Sequence, residues 1–280
     1  MDEIKKINAI SSKAFYEEYL IPRVPVVIRN VAPWAALTTW SLEMFRQRFA
    51  DRTIPLLGEL KNMGEFINEV ECSTEENPVP YLKELPLAEY FPELMKDLEP
   101  TATAMTPNWL ANNLIPKKMG TRDGFCELFI GGPGSGFFML HYDAHYVNTF
   151  ITQIQGAKDF TIVAPDDTPN VYPREDRPNM SQLKDLSNVN LQQFPLYENA
   201  NPTNVRVEPG ETIFVPWGYW HASRIVAPSI AVAISTANAE NWGLFLEDRS
   251  YSENTIKKIV KKSIFKLAGV SEKISAPFSQ

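Results

Sequence analysis

Residues 137–165 read FFMLHYDAHYVNTFITQIQGAKDFTIVAP, and how this stretch folds decides the rest of the chain. It carries His141, Asp143 and His145 on alternate residues, then two β-prone runs, TFITQI and DFTIVAP, with a glycine between them. On a strand, residues i, i+2 and i+4 project from one face, so all three polar side chains are expected to face one cavity. Histidine is scarce here: the chain has 3, and the third, His221, lies far downstream in FVPWGYWHASR.

Working outward, CELFIGG, VRVE, TIFVP and SIAVAIS are further short apolar runs separated by Gly, Pro, Asn and Asp. Such spacing predicts a β-sandwich or barrel. Upstream the character is mixed. KAFYEEYL reads as a helix and PVVIRN as a strand. Ser41 is the expected N-cap of LEMFRQRFA, whose Leu42, Phe45 and Phe49 recur at helical spacing. LPLAEYFPELMKDL reads as helical too. Residues 166–204 form a long polar connection rich in Pro, Asn and Asp, expected to cover something. In the tail, NTIKKIVKKSIFKLAG places Ile256, Ile259, Val260 and Ile264 on one helical face among lysines, a surface suited to homodimerisation. There is no internal repeat. The expected organisation is one domain over 1–240, with a helical part over 1–124 and a β core over 125–240, followed by a helical tail over 241–280.

Composition narrows the class. The 280 residues are 44% hydrophobic, enough for a substantial core. No run reaches the roughly 18 apolar residues that a membrane span needs, and the first twenty residues lack the apolar centre of a secretory signal. A net charge of −7 disfavours general nucleic-acid binding. The 2 cysteines, Cys72 and Cys126, have no metal-type spacing and are too few for a disulfide framework. A reducing, cytoplasmic setting is expected, with the nucleus left open.

Imidazole nitrogen together with carboxylate oxygen suits divalent iron, manganese or zinc. A lone H-x-D is weak evidence and reads equally well as a surface turn. VEPGETIFVPWGYWHASR adds weight, because it puts His221 at the exit of a strand and turn. Two strands packed face to face are expected to bring it against the H-x-D pair. Two histidines and one carboxylate on one side of a metal leave three adjacent positions open. His145 is the competing ligand by strand spacing. GGPGSG lacks the Lys-Ser/Thr of a phosphate loop and reads as a tight turn. Trp217, Tyr219 and Trp220 read as core or rim packing.

The set H-x-D, then Gly-x-Lys, then P-G-E-T-apolar-F-V-P-x-x-x-W-H resembles the Jumonji-C branch of the cupin superfamily, and within it the small cupin-like hydroxylases. The likeness runs from about residue 125 to 238 and is visible again in YLIPRVPVVIRNVAPWAAL. It implies a mostly β fold, a double-stranded β-helix (cupin or jelly-roll) core with flanking helices. It also implies an Fe(II)- and 2-oxoglutarate-dependent dioxygenase that uses O2 to hydroxylate a C–H bond, releasing succinate and carbon dioxide. His141, Asp143 and His221 match the metal ligands, and Lys158 matches the lysine that pairs with the distal carboxylate of 2-oxoglutarate. The pattern departs at Phe138, where many members have threonine, and at Thr149, where many have asparagine. Asn148, Thr149, Ser235 and Asn238 are then the candidate cosubstrate contacts, beside the small residues Ala231 and Ala233.

The resemblance implies a protein or peptide side chain as substrate, with a small molecule, a tRNA base or a methylated lysine as alternatives. Two readings from other classes stand beside it: a cupin metal enzyme working with zinc or manganese without 2-oxoglutarate, and a cupin-like binding protein without catalysis.

Overall fold

A computed structural model describes residues 3–111 and 126–247, together with positions 263, 266 and 267. Its strands are, in chain order, β1 (Lys6–Asn8), β2 (Val26–Arg29), β3 (Thr53–Leu56), β4 (Glu59–Asn62), β5 (Leu82–Pro86), β6 (Cys126–Gly131) and β7 (Gly136–His141). They continue as β8 (Asn148–Gln155), β9 (Lys158–Val163), β10 (Thr203–Val207), β11 (Glu211–Val215), β12 (Trp220–Ile225) and β13 (Ser229–Thr236). Seven of them form one sheet in the order β1-β2-β11-β8-β13-β6-β5, four form a second in the order β10-β9-β12-β7, and β3 pairs with β4. Two sheets of antiparallel core strands facing each other are the jelly-roll core that the short apolar runs predict.

The larger sheet is buried on both faces, which explains why SIAVAIST reads as nearly continuous apolar sequence rather than alternating. Its outer face packs on the N-terminal region. Phe15 meets Phe214 edge-on at 4.9 Å, and Phe150 lies 4.9 Å from the same ring. Ser41 caps the helix Leu42–Phe49 as expected, its hydroxyl accepting from the Met44 amide at 3.0 Å. Phe45 and Phe91 meet edge-on at 5.5 Å in the same core. The N-terminal part is less helical than its sequence suggests. β1, β2 and β5 leave it to extend the larger sheet, because their Val, Ile and Leu side chains complete the core on a sheet edge.

Residues 165–204 run over the outer face of the smaller sheet in turns and short 3-10 segments, Pro165–Val171 and Pro195–Asn199. Under them lies a separate small core of Leu140, Val163, Val171, Leu183, Trp220 and Ala222. Gly136 opens β7 where that strand meets β12. A Cβ there would come within 2.2 Å of the Ser223 carbonyl oxygen, so only glycine allows the two strands their separation.

No helix among the described residues is long and apolar enough to cross a membrane. Cys72 and Cys126 are both free thiols, the first exposed and the second buried. The tail positions Ile256, Ile259, Val260 and Ile264, and the dimer surface they suggested, lie outside the described residues apart from Trp242–Glu247, which is helical.

Candidate active site

β7 ends at His141 and β12 begins with Trp220 and His221, and the two histidines are direct register partners across those antiparallel strands. They are hydrogen-bonded neighbours in one sheet rather than residues on two facing sheets. Their ring centroids lie 4.3 Å apart. Each ring is oriented by its own strand: His141 Nδ1–H donates to the Met139 carbonyl at 2.9 Å and His221 Nδ1–H to the Tyr219 carbonyl at 3.2 Å. Both Nε2 atoms therefore carry the free lone pair.

Asp143 reaches them from a turn. The chain enters a 3-10 turn over Ala144–Tyr146, where His145 and Tyr146 take left-handed φ values of 62° and 52°. Alternation thus breaks after Asp143, which keeps extended φ and ψ of −61° and 135°, and His145 is carried away, its ring 5.9 Å from that of Phe245. Asp143 Oδ1 lies 3.9 Å from His141 Nε2 and 3.7 Å from His221 Nε2. Its other oxygen accepts from the Thr149 hydroxyl. One potential ligand atom from each of the three residues lies within 4.8 Å of the other two.

This donor set fits a divalent metal. Bonds of about 2.1 Å require ligand atoms on one ion to lie within about 4.2 Å of each other, and both aspartate–histidine separations do. Burial, then the neighbouring His221, pushes the His141 pKa down to about 4, so the imidazole is neutral at physiological pH, as a ligand must be. Thr149→Val removes the hydroxyl that holds Asp143. It is expected to weaken Mn(II) affinity about 10- to 100-fold by calorimetry while leaving the fold intact.

Deeper in the same cavity lies Lys158, 1% exposed at the start of β9. Its ammonium donates to the Tyr81 hydroxyl at 2.8 Å and lies 5.2 and 5.4 Å from the ring centroids of Tyr81 and Phe129. Among the described residues it has no carboxylate partner, and burial pulls its pKa down to about 7. A buried cation without an anion is costly, and the cavity beside it is the place where one fits.

Thr149, Ser235 and Ala233 line this cavity, as do Ser223, Ile151, Phe160 and Phe137. Asn148 does not. It is fully buried one residue out of phase with Thr149, its Oδ1 accepting from the Trp217 amide at 3.2 Å. Asn238 is likewise outside the lining; its Oδ1 accepts from the Glu240 amide at 3.1 Å. Phe138 is 44% exposed and borders an outer groove with Leu186 and Arg224. Phe137, four residues before His141 on β7 and so on the same strand face, points inward instead, stacked on His141 at 4.0 Å. The side chains that sequence reasoning missed are Tyr81, Glu84, Glu127, Phe137 and Ser223.

A family model described as a cupin-like domain matches residues 57–234, a span that takes in β4 to β12, most of β13 and all three candidate ligands. The chain belongs to the cupin-like family of Jumonji-C oxygenases. Among the relatives of this cupin-like chain, lysine-specific demethylase 8 of Danio rerio is 28% identical over 247 residues, covering 82% of the chain and 57% of the relative. JmjC domain-containing protein D of Dictyostelium discoideum is 24% identical over 271 residues, covering 82% and 55%. Arginine-specific demethylase JMJ20 of Arabidopsis thaliana is 26% identical over 296 residues, covering 92% and 63%. The cupin-like chain spans less than two thirds of the length of each.

Proposed function

We propose that this chain is an Fe(II)- and 2-oxoglutarate-dependent dioxygenase that hydroxylates a C–H bond of a protein or peptide side chain. One observation carries the reading: a His-Asp-His ligand set and a buried lysine with no carboxylate partner among the described residues open into a single cavity. A metal hydrolase or isomerase needs only the first; the second calls for an anionic ligand, which the distal carboxylate of 2-oxoglutarate supplies.

His141, Asp143 and His221 would hold the metal at the wall of the cavity. Bound iron, with 2-oxoglutarate and dioxygen, supplies the oxidising power, so that R–H, O2 and 2-oxoglutarate become R–OH, succinate and carbon dioxide. Lys158 and the Tyr81 hydroxyl would hold the distal carboxylate through charge-assisted hydrogen bonds. Ser223, on the inner face of β12 between His221 and the Lys158 end, offers a further hydroxyl where the β7 threonine of the resemblance is missing. Phe137 and Phe160 keep water from the reacting centre. Where the oxidised carbon is an N-methyl group, the hydroxylated product loses formaldehyde, and the same machinery demethylates.

A protein substrate accords with relatives named as lysine- and arginine-specific demethylases. Oxygen-free titration tests the reading directly. Adding Fe(II) and then 2-oxoglutarate is expected to give a visible charge-transfer absorption that neither gives alone. A metal site whose spectrum ignores 2-oxoglutarate would move the chain to the non-oxygenase cupin class.

A further inference from the structure

Lys158 is housed unlike a lysine kept only for its charge. It opens β9 with its side chain turned into the cavity, almost wholly out of solvent. An ammonium offers three donors, yet among the described residues its nitrogen has a single hydrogen-bond partner, the Tyr81 hydroxyl. Its other close neighbours are the rings of Tyr81 and Phe129. Glu84, Glu127 and Asp143 line the same cavity, and none of them forms an ion pair with it. One hydroxyl and two aromatic rings solvate a cation poorly, in keeping with a pKa that burial alone lowers to about 7. Near pH 8 this side chain is largely the free amine, whereas a lysine in water, near ~10.4, stays protonated.

A neutral lysine amine that opens on a cavity is a nucleophile, and its surroundings select the electrophile. Phe129, Ile151, Phe160 and Ala233 give the cavity apolar walls, which admit a small uncharged molecule. The hydroxyls of Tyr81, Ser223 and Ser235 line it too, as donors for an anion formed inside. Burial pushes the Tyr81 pKa up, so its phenol keeps the proton that it would donate. Dissolved carbon dioxide suits both features, because it enters uncharged and becomes a carboxylate on reacting.

We infer that Lys158 is a carbamylation site, its amine taking up dissolved carbon dioxide reversibly. The nitrogen lone pair attacks the carbon, an N–C bond forms, one C=O electron pair moves onto oxygen, and one N–H proton passes to solvent. The balance is R–NH2 + CO2 → R–NH–COO− + H+, with nothing oxidised or reduced. A poorly solvated cation gives way to an anion that the Tyr81 phenol binds through a charge-assisted hydrogen bond. The new negative charge stands where the oxygenase reading seats the distal carboxylate of 2-oxoglutarate. Carbon dioxide and 2-oxoglutarate therefore compete for one nitrogen. Only that competition rests on the oxygenase reading; the modification itself needs no metal.

The test places the full chain, without metal, in carbon-13-labelled bicarbonate at pH 8 and records carbon-13 NMR. A carbamate resonance is expected beside those of bicarbonate and carbon dioxide, and is expected to vanish in Lys158→Met. The α-amine, with a pKa of about 8, also forms a carbamate; its resonance stays in the variant and serves as the internal control. Adding Zn(II) and 2-oxoglutarate to the native chain is expected to remove the Lys158 resonance and leave that of the α-amine.

A second measurement needs no substitution and keeps the test open should Lys158→Met fold poorly. Alkylation by an oxonium salt fixes a carbamate covalently on the native chain, and peptide mass spectrometry is expected to find it on Lys158. A native chain whose only adduct is on the α-amine overturns the inference, as does a further carbamate resonance that persists in Lys158→Met. A Lys158 carbamate indifferent to Zn(II) and 2-oxoglutarate supports the modification and overturns the cosubstrate role of this lysine alone.

Discussion

Asp143→Ala is expected to cut Fe(II)- and 2-oxoglutarate-dependent succinate formation by at least about 10³-fold, or ~4 kcal/mol of barrier. The carboxylate is the only anionic ligand in the set, and its two oxygens face different partners: Oδ1 the imidazoles, Oδ2 the Thr149 hydroxyl. Losing it leaves two neutral imidazoles, which hold a divalent cation poorly. Succinate release is the primary measurement, with Mn(II) calorimetry alongside and a thermal melt to show that the variant folds. His145→Ala is the control, because that ring packs near Phe245, outside the ligand cluster. Turnover that survives Asp143→Ala, or that is lost with His145→Ala at unchanged melting temperature, would overturn the ligand assignment.

Lys158→Met is expected to weaken 2-oxoglutarate binding about 100-fold, the ~2.7 kcal/mol appropriate to a charge-assisted hydrogen bond in a buried site. Metal affinity should be unchanged, which separates this residue from the ligands. The pH dependence has a definite sign. Burial holds the Lys158 pKa near 7, below the ~10.4 of an unfolded lysine. Binding of the dianion needs the ammonium, so the dissociation constant should rise as pH climbs above 7 and binding should take up protons. Stability runs the other way. The unfolded chain keeps this proton up to ~10.4 and the folded chain gives it up near 7, so folding is penalised most below pH 7. The penalty shrinks as pH rises toward 10. Lys158→Met should therefore raise the melting temperature at pH 7 while it destroys cosubstrate affinity. Titration calorimetry and thermal melts across pH 6 to 10 check both; a Lys158→Met chain that binds 2-oxoglutarate normally would remove the lysine from the site.

Much of this architecture is legible in the residues. The apolar runs became β6, β8, β9, β10, β11 and β13, and Ser41 capped its helix, because these depend on local pattern and local hydrogen bonding. The ligands were findable because the motif spacings survive whatever their three-dimensional route. What was hidden depends on pairing between distant strands. WHASRI carries polar residues on a strand buried on both faces, so β12 read as a turn and its exit. Tyr81 and Glu84 flank or belong to a short, irregular β5 beside a stretch that reads as helix, and nothing nearby shows that it lies along β6. Glu127 resembles any exposed strand glutamate until β13 gives its face a direction. Asn148 and Thr149 differ by one residue, and only the tether from Thr149 to Asp143 fixes which of the two looks inward.

The position of the ligand set between the two sheets has a mechanical consequence. His141 and His221 belong to the four-stranded sheet, and Asp143 is tied to Thr149 of the seven-stranded one. A metal held by these three residues would act as a rivet between the two layers. Each layer already has its own packed interior, Phe15 with Phe150 and Phe214 on one side, Leu140 with Trp220 and Leu183 on the other. Each layer would therefore stand without an ion, and the metal's hold would fall on the lip where the layers meet. Metal binding and the firming of that lip would then be a single event.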